Sequence, residues 1–197
     1  MPTPSQLCFA SNNAHKLDEI RPLLPPGLTL LSLADIGCAE ELPETQDTLE
    51  GNARQKAEYV LQHYGVACFA DDTGLEVTAL HGEPGVYSAH YAGPQRRAED
   101  NVAKLVQELR GAADRSALFR TVVALASADG TIREFAGEVS GTITEAARGA
   151  GGFGYDPVFV PTEGDGRTFA EMSGAEKNRI SHRARAVSKL LAYLNAE

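Results

Sequence analysis

The sequence has no run apolar and long enough to cross a membrane, and no basic region in its opening residues Met1-Pro2-Thr3-Pro4-Ser5-Gln6. Neither a signal peptide nor a transmembrane helix is expected, and a cytoplasmic location is. Cysteine is scarce: Cys8, Cys38 and Cys68 are odd in number and lack metal-ligand spacing. Cys8 and Cys68 sit in apolar, strand-like runs, so buried free thiols in a reducing cytosol are expected rather than a disulfide framework. The five histidines show no paired spacing of the kind a zinc site needs. Positive charge is also short. With 18 Lys and Arg against 27 Asp and Glu, the formal net charge is −9. That argues against a general DNA or RNA binder, which needs a basic face to neutralise phosphates. It leaves room for a small polyanion held by a few lysines, a helix N-terminus and a metal ion. Internal repeats, low-complexity tracts and linkers are absent.

What is present fits a single domain over residues 1–197. Its 43% hydrophobic and 23% charged residues are ordinary for a globular protein able to bury one good core. Leu7-Cys8-Phe9-Ala10 reads as a first strand, followed by a helix from about Ala14 to Leu24 with Leu17, Ile20 and Leu24 as its stripe. Leu28 to Ser32 reads as a second strand. After the acidic loop Glu40–Thr45, Asp47 looks like an N-cap with Glu50 completing a variant capping box. The helix it opens carries Leu49, Ala53, Ala57, Val60, Leu61 and Tyr64, and Gly65 ends it. A strand then runs to Ala70, and another from Leu75 to Leu80. Ala98, Val102, Leu105, Val106 and Leu109 mark a third helix. Asp129-Gly130 joins a hairpin of Leu118–Ser127 and Thr131–Val139. Pro157–Val160 is a short strand. Ser173 with Glu176 forms a capping box, and Ser181 can cap a last helix striped by Ala184, Val187, Leu191 and Leu194. This order gives an α/β fold with a mixed sheet, because the hairpin interrupts the alternation.

The chemistry concentrates in a few segments. Val66-Ala67-Cys68-Phe69-Ala70 ends in Asp71-Asp72-Thr73-Gly74. A buried strand delivering carboxylates at its C-terminal end suits chemistry in an α/β crevice, and neighbouring carboxylates suit a hard cation such as Mg²⁺. The same four residues also suit a plain turn. Ser11-Asn12-Asn13-Ala14-His15-Lys16 offers free backbone N–H groups, side-chain donors and a lysine to phosphate. It reads equally as an N-cap before a solvated lysine, and it is not a Walker loop. Lys56 lies near the apolar stripe of its helix, placed either to snorkel or to reach phosphate. Gly151-Gly152-Phe153-Gly154-Tyr155-Asp156-Pro157 sets an aromatic ring among glycines, a stacking face for a base or simply a ring folded into the core. Lys177, His182 and Arg183 surround a helix start and offer donors to base carbonyls; a solvated charged face is the plainer reading.

Read together, these segments resemble the inosine triphosphate pyrophosphatase family, the house-cleaning dITP/XTP pyrophosphatases. The resemblance rests on Ser11–Lys16, Glu44-Thr45 with Asn52-Ala53, Ala70–Gly74, Gly85-Val86-Tyr87-Ser88-Ala89, Gly151–Pro157 and Ser181-His182-Arg183, in order across nearly the whole chain. It implies an elongated mixed sheet flanked by helices, in two lobes with the active site in the cleft between them. It implies hydrolysis of ITP, dITP or XTP to the monophosphate and pyrophosphate, with Mg²⁺ as cofactor, and a homodimer. Carried across, Ser11, Asn12, Asn13, Ala14, His15 and Lys16 hold phosphates, with Lys16 also in the catalytic set, and Lys56 adds a phosphate contact. Glu44 and Asp72 ligate the metal, and Asp72 is the proton acceptor. Thr73 touches substrate. Phe153, Gly154, Tyr155, Asp156, Lys177, His182 and Arg183 hold and read the base. A 6-oxo purine would accept from such donors where adenine presents an amino group; what would reject guanine is not identified. Asp71 is left between tuning Asp72 and binding a second ion. Two departures stand out: Thr73 where serine is more usual, and His90 where arginine is expected. The alternatives are a Maf-like pyrophosphatase for pyrimidine or modified nucleotides, and a nucleotide-binding module without turnover.

Overall fold

A computed structural model describes residues 6–196. Met1-Pro2-Thr3-Pro4-Ser5, most of the N-terminal stretch discussed above, and Glu197 lie outside the described residues. The chain divides into two compact units. The first takes the described residues through Asp72, then Thr121–Gly137, then Arg183 onward; the second takes Thr73–Arg120 and Glu138–His182.

In the first unit, strand β1 (Gln6–Phe9) runs parallel to β2 (Thr29–Leu31) on one side and to β3 (Cys68–Val77) on the other. Leu7, Cys8 and Phe9 are buried in succession, as expected of a parallel strand covered on both faces. Phe9 stands in register with Phe69, and their rings stack at 4.9 Å. Helix α1 (Ala14–Ile20) is capped by the Asn13 side chain, which accepts from the Lys16 N–H. It stops short of the expected Leu24, because Pro22 turns the chain into a 3-10 segment over Arg21–Leu23. Helix α2 (Leu49–Tyr64) begins one residue later than its sequence suggests: Thr48, not Asp47, accepts from the Gly51 N–H. Gly65 closes it in the left-handed conformation, as expected.

The expected break at Asp71 does not occur. Strand β3 runs unbroken through Asp71-Asp72-Thr73-Gly74 to Val77, so the paired carboxylates stand within a strand rather than at its end. Its far portion is held by the antiparallel β4 (Pro84–Gly85), with Leu75 opposite Gly85. Helix α3 (Ala98–Glu108) follows, then β5 (Ser116–Ala126) and β6 (Ile132–Ile143), both longer than expected around the Asp129-Gly130 turn. Burial alternates in β5 up to Arg120 and is continuous from Thr121, where the chain passes into the first unit. β7 (Phe159–Pro161) pairs antiparallel with β6. The sheet order is β2-β1-β3-β5-β6-β7, with β4 beside β3, and the sheet is mixed as expected.

Helix α4 (Gly174–Ile180) starts at the predicted Ser173–Glu176 capping box, with both reciprocal bonds formed. Helix α5 (His182–Ala196) buries Ala186, Val187, Leu190 and Leu194; Leu190 rather than Leu191 holds the centre of the stripe. These residues pack with Leu7, Phe9, Ile20, Phe69, Val123 and Leu125 as the first unit's core. The second unit has its own core around Leu75, Leu105, Phe119, Phe159 and Phe169. All three cysteines are buried and free. Burial pushes the Cys8 and Cys68 thiols up to about 12, which leaves them inert. Among the described residues, no helix is long and apolar enough to cross a membrane.

Candidate active site

The two adjacent aspartates of β3 receive opposite treatment. Asp71 is fully buried. Its Oδ1 accepts from Lys16 Nζ at 2.8 Å and its Oδ2 from Arg183 Nε at 3.0 Å. Arg183, itself 1% exposed, extends the network by donating through Nη1 to Glu19. Burial is the largest single influence on Asp71 and raises its pKa, but Lys16, Arg183 and Lys56 together outweigh it. Its carboxyl is held well below the ordinary carboxylate range. Both oxygens are engaged by cations, so Asp71 serves as the anchor of Lys16 and Arg183.

Asp72, one residue on, points its carboxylate to the helix α2 side. Its Oδ1 faces Lys56 Nζ at 3.5 Å, and its Oδ2 accepts from Asn52 Nδ2 at 3.2 Å. Burial raises the Asp72 pKa; Lys56 and Lys16 oppose it, Glu44 and Asp71 add to it, and the net shift is upward. The same lysine reaches Glu44 Oε1 at 2.5 Å and the Asp71 carbonyl at 2.8 Å. Lys56 is therefore not a snorkelling surface residue: it is 5% exposed and clamped between three oxygens. Burial lowers its pKa, but Asp72, Glu44 and Asp71 override that and hold it above its ordinary value. Lys16 goes the other way. Burial lowers its pKa, with Lys56 and Arg183 adding to that, and Asp71 only partly restores it.

Around this cluster the first loop is partly committed to its own helix. Ser11 Oγ accepts from the Asn13 N–H, Asn13 caps α1, and Asn12 donates to the Glu40 carbonyl. Ala14 and His15 are exposed at the helix start. The Glu44 loop is pinned by two further side chains of α2. Gln55 Oε1 accepts from the Thr45 N–H and Asn52 Oδ1 from the Gln46 N–H, each at 2.9 Å. Asn52 and Gln55 were missed as candidate site residues. The signal was their spacing, since Asn52, Gln55 and Lys56 fall at i, i+3 and i+4 on one face of α2.

The donor chemistry of Glu44 and Asp72 is two hard carboxylates converging on one ammonium. Among the described residues, no group of three or more His, Cys, Asp and Glu is arranged as a protein cage for a metal. Mg²⁺ needs no such cage, since it takes one or two carboxylates and completes its shell with phosphates and water. The residues therefore fit that ion.

The second unit carries a separate cluster. Asp156, 2% exposed, accepts through Oδ2 from Lys177 Nζ at 2.5 Å and from the Phe153 N–H at 2.8 Å. Gly152 has φ +67°, and a Cβ there would collide with the Asp156 carboxylate. That glycine is what lets the Gly151–Gly154 loop fold tightly on Asp156. Gly154 is half-buried within the loop, and Lys177 Nζ lies 5.0 Å from the Phe153 ring centre. Tyr155 is buried and donates to the Ser88 carbonyl, so it belongs to the frame of the loop. His182 is buried, its ring stacked on Phe119 at 4.4 Å. Thr73 is half-buried in β3, and His90 is exposed, edge-on to Tyr87. The base-reading set expected from the sequence is thus divided: Lys177 and His182 fall in the second unit, while the donors of Arg183 go to Asp71 and Glu19 in the first.

Known proteins are similar to this chain over nearly its whole length. A protein of Flavobacterium johnsoniae called dITP/XTP pyrophosphatase is 53% identical over 191 residues, covering 97% of this chain and 98% of that one. A Bacillus subtilis protein of the same name is 43% identical over 191 residues, with 95% and 96% covered. The Ham1 protein structure from Staphylococcus aureus superposes with a TM-score of 0.87 at 37% identity, covering 97% of this chain and 98% of that chain. A HAM1 protein from Coxiella burnetii gives 0.88 at 34% identity, with 98% and 99% covered. The family model for Ham1 matches residues 7–193, and the chain belongs to the Ham1 family.

Proposed function

We propose that this protein hydrolyses non-standard purine nucleoside triphosphates, ITP, dITP and XTP, to the monophosphate and pyrophosphate. The observation that carries the reading is the split fate of two adjacent carboxylates. Asp71 is locked ionised between Lys16 and Arg183, while the Asp72 pKa is raised. Neighbouring titratable groups pushed apart in this way mark acid–base assignments. In this reading Asp72 accepts the proton of the attacking water, and a weak carboxylate base suffices there because the metal would acidify that water. Lys16 and Lys56 neutralise phosphate oxygens, with Ser11, Asn12, Asn13, Ala14 and His15 as further phosphate contacts. Arg183 holds Asp71, and through it the Lys16 ammonium. Mg²⁺ bound by Glu44 and Asp72 would withdraw charge from the phosphates and acidify a bound water. Phosphoryl chemistry asks for little beyond such positioning and neutralisation.

In this reading Phe153 and Gly154 stack on and approach the base, with Tyr155 and Asp156 holding their loop. Lys177 and His182 donate to the 6-oxo group, and Thr73 contacts the substrate. An amino group there would leave those donors unpaired. The names carried by the Flavobacterium johnsoniae and Bacillus subtilis relatives support the substrate class. A cytoplasmic location fits an enzyme of the nucleotide pool, and the homodimer implied by the resemblance is checked by light scattering.

The test is pyrophosphate release from ITP, XTP, GTP, ATP and UTP, with Mg²⁺ and with EDTA. ITP and XTP should lead, EDTA should abolish turnover, and Asp72→Asn should lower it by about 10²–10⁴-fold. A lead by UTP would keep the chemistry and overturn the purine reading. ITP binding without turnover would leave a binding module.

A further inference from the structure

Asn52 is buried within the first turn of α2 and touches both sides of the Glu44–Asp72 pair. Its Oδ1 accepts from the Gln46 N–H at 2.9 Å, two residues beyond Glu44. Its Nδ2 donates to Asp72 Oδ2 at 3.2 Å. One planar amide thus ties the loop that carries the first carboxylate to the side chain of the second. The amide supplies the acceptor and the donor on separate atoms, where a carboxylate lacks the donor and an aliphatic chain lacks both groups. Three residues along, Gln55 repeats the device on the adjoining N–H. Its Oε1 accepts from Thr45 and its Nε2 donates to Thr45 Oγ1, both at 2.9 Å. Lys56 completes the helix face by reaching Glu44 itself.

The need for such a brace follows from the charges. Glu44 is on a loop without regular structure, and its side chain is one-third exposed, whereas Asp72 is fixed in β3. Two carboxylates repel, and a loop is free to relieve the repulsion by moving away. Two helix side chains that grip consecutive backbone N–H groups next to Glu44 oppose that movement.

We propose that Asn52 is a positioning residue that sets the spacing of Glu44 and Asp72 for a divalent cation, with Gln55 as its auxiliary. The proposal rests on the reading that these two carboxylates hold the cation. Hydrogen-bonding partners behind metal ligands typically account for about 10–100-fold in metal affinity or activity.

The experiment titrates Mn²⁺, by calorimetry, onto the protein saturated with a non-hydrolysable α,β-imido inosine triphosphate. In parallel, pyrophosphate release is followed against Mg²⁺ concentration. Asn52→Ala should weaken Mn²⁺ binding and raise the half-activating Mg²⁺ concentration by about tenfold or more. Its kcat should recover at high Mg²⁺, with the KM for ITP little changed. Gln55→Ala, at a less buried position, should move both readouts the same way but less, and covers the case in which Asn52→Ala does not fold. A kcat loss that excess Mg²⁺ does not restore, or unchanged Mn²⁺ affinity in both variants, overturns the proposal. Glu44→Gln is the control for its foundation. If that variant binds Mn²⁺ as wild type does, the cation reading itself fails and the proposal falls with it.

Discussion

Asp71 has the most to lose from a single atom change. Its carboxylate is the shared counter-charge of Lys16 and Arg183, whose side chains are 14% and 2% exposed. Asp71→Asn keeps the shape, removes the carboxylate partner of Lys16 and leaves Arg183 to its contact with Glu19. Breaking a buried pair in this way costs about 3–5 kcal/mol, which a shift in the urea midpoint at unchanged slope would register. A loss below about 1 kcal/mol would show the network to be ornamental. The pH dependence has a definite sign. The folded-state pKa lies below 3.8, so the stabilisation from Asp71 is present above 3.8 and disappears as acid carries the solution down through the folded value. The Asp-Asp pair was legible in the sequence as a candidate for chemistry. Which carboxylate did what was not, because the cations that decide it lie 55 and 112 residues away in the chain. Lys56 was legible only as a lysine close to an apolar stripe, and Asn52 only as part of a motif.

The elements were easier to read where local chemistry and tertiary structure agree. The Ser173–Glu176 capping box was predicted and is formed, because all its partners lie within four residues. Arg167 and the Ser173 hydroxyl and N–H together hold the Glu176 carboxyl down to about 2. The stability gap between wild type and Glu176→Gln should therefore be full above pH 4.5 and close as pH falls from 4.5 toward 2, a trend that thermal melts across acid buffers would follow. Strand β3 shows the opposite case. Asp-Asp-Thr-Gly is turn chemistry, yet β4 pairs with its far end and buried cations neutralise its centre, so the strand continues. The glycine loop before β7 depends on Gly152 in a conformation that costs other residues about 1–3 kcal/mol. Gly152→Ala should raise the KM for ITP, through displacement of Phe153 and Asp156, while leaving Mg²⁺ activation unchanged. An unaltered KM would detach this loop from substrate binding.

Across the whole molecule the net charge of −9 sets a boundary condition on a polyanionic substrate. Even the first unit's cluster is short of positive charge, with Lys16, Lys56 and Arg183 facing Glu19, Glu44, Asp71 and Asp72. The long-range field therefore opposes approach of the nucleotide. Raising ionic strength from about 0.01 M to 0.15 M contracts the screening length from about 30 to 8 Å. At fixed free Mg²⁺, kcat/KM for ITP should rise over that range; a fall would mean that a local basic path steers the substrate instead. The overall α/β class and mixed sheet were legible from the order of elements, whereas two lobes were expected from the resemblance alone, since each unit is assembled from separated stretches of chain. That interleaving bears on how the protein is made. Asp71 leaves the ribosome long before Arg183, and synthesis of the intervening 112 residues takes about 6–22 s at about 5–20 residues per second. Throughout that interval the first unit lacks α5, so a nascent chain halted just before His182 should be digested by protease where the finished chain resists.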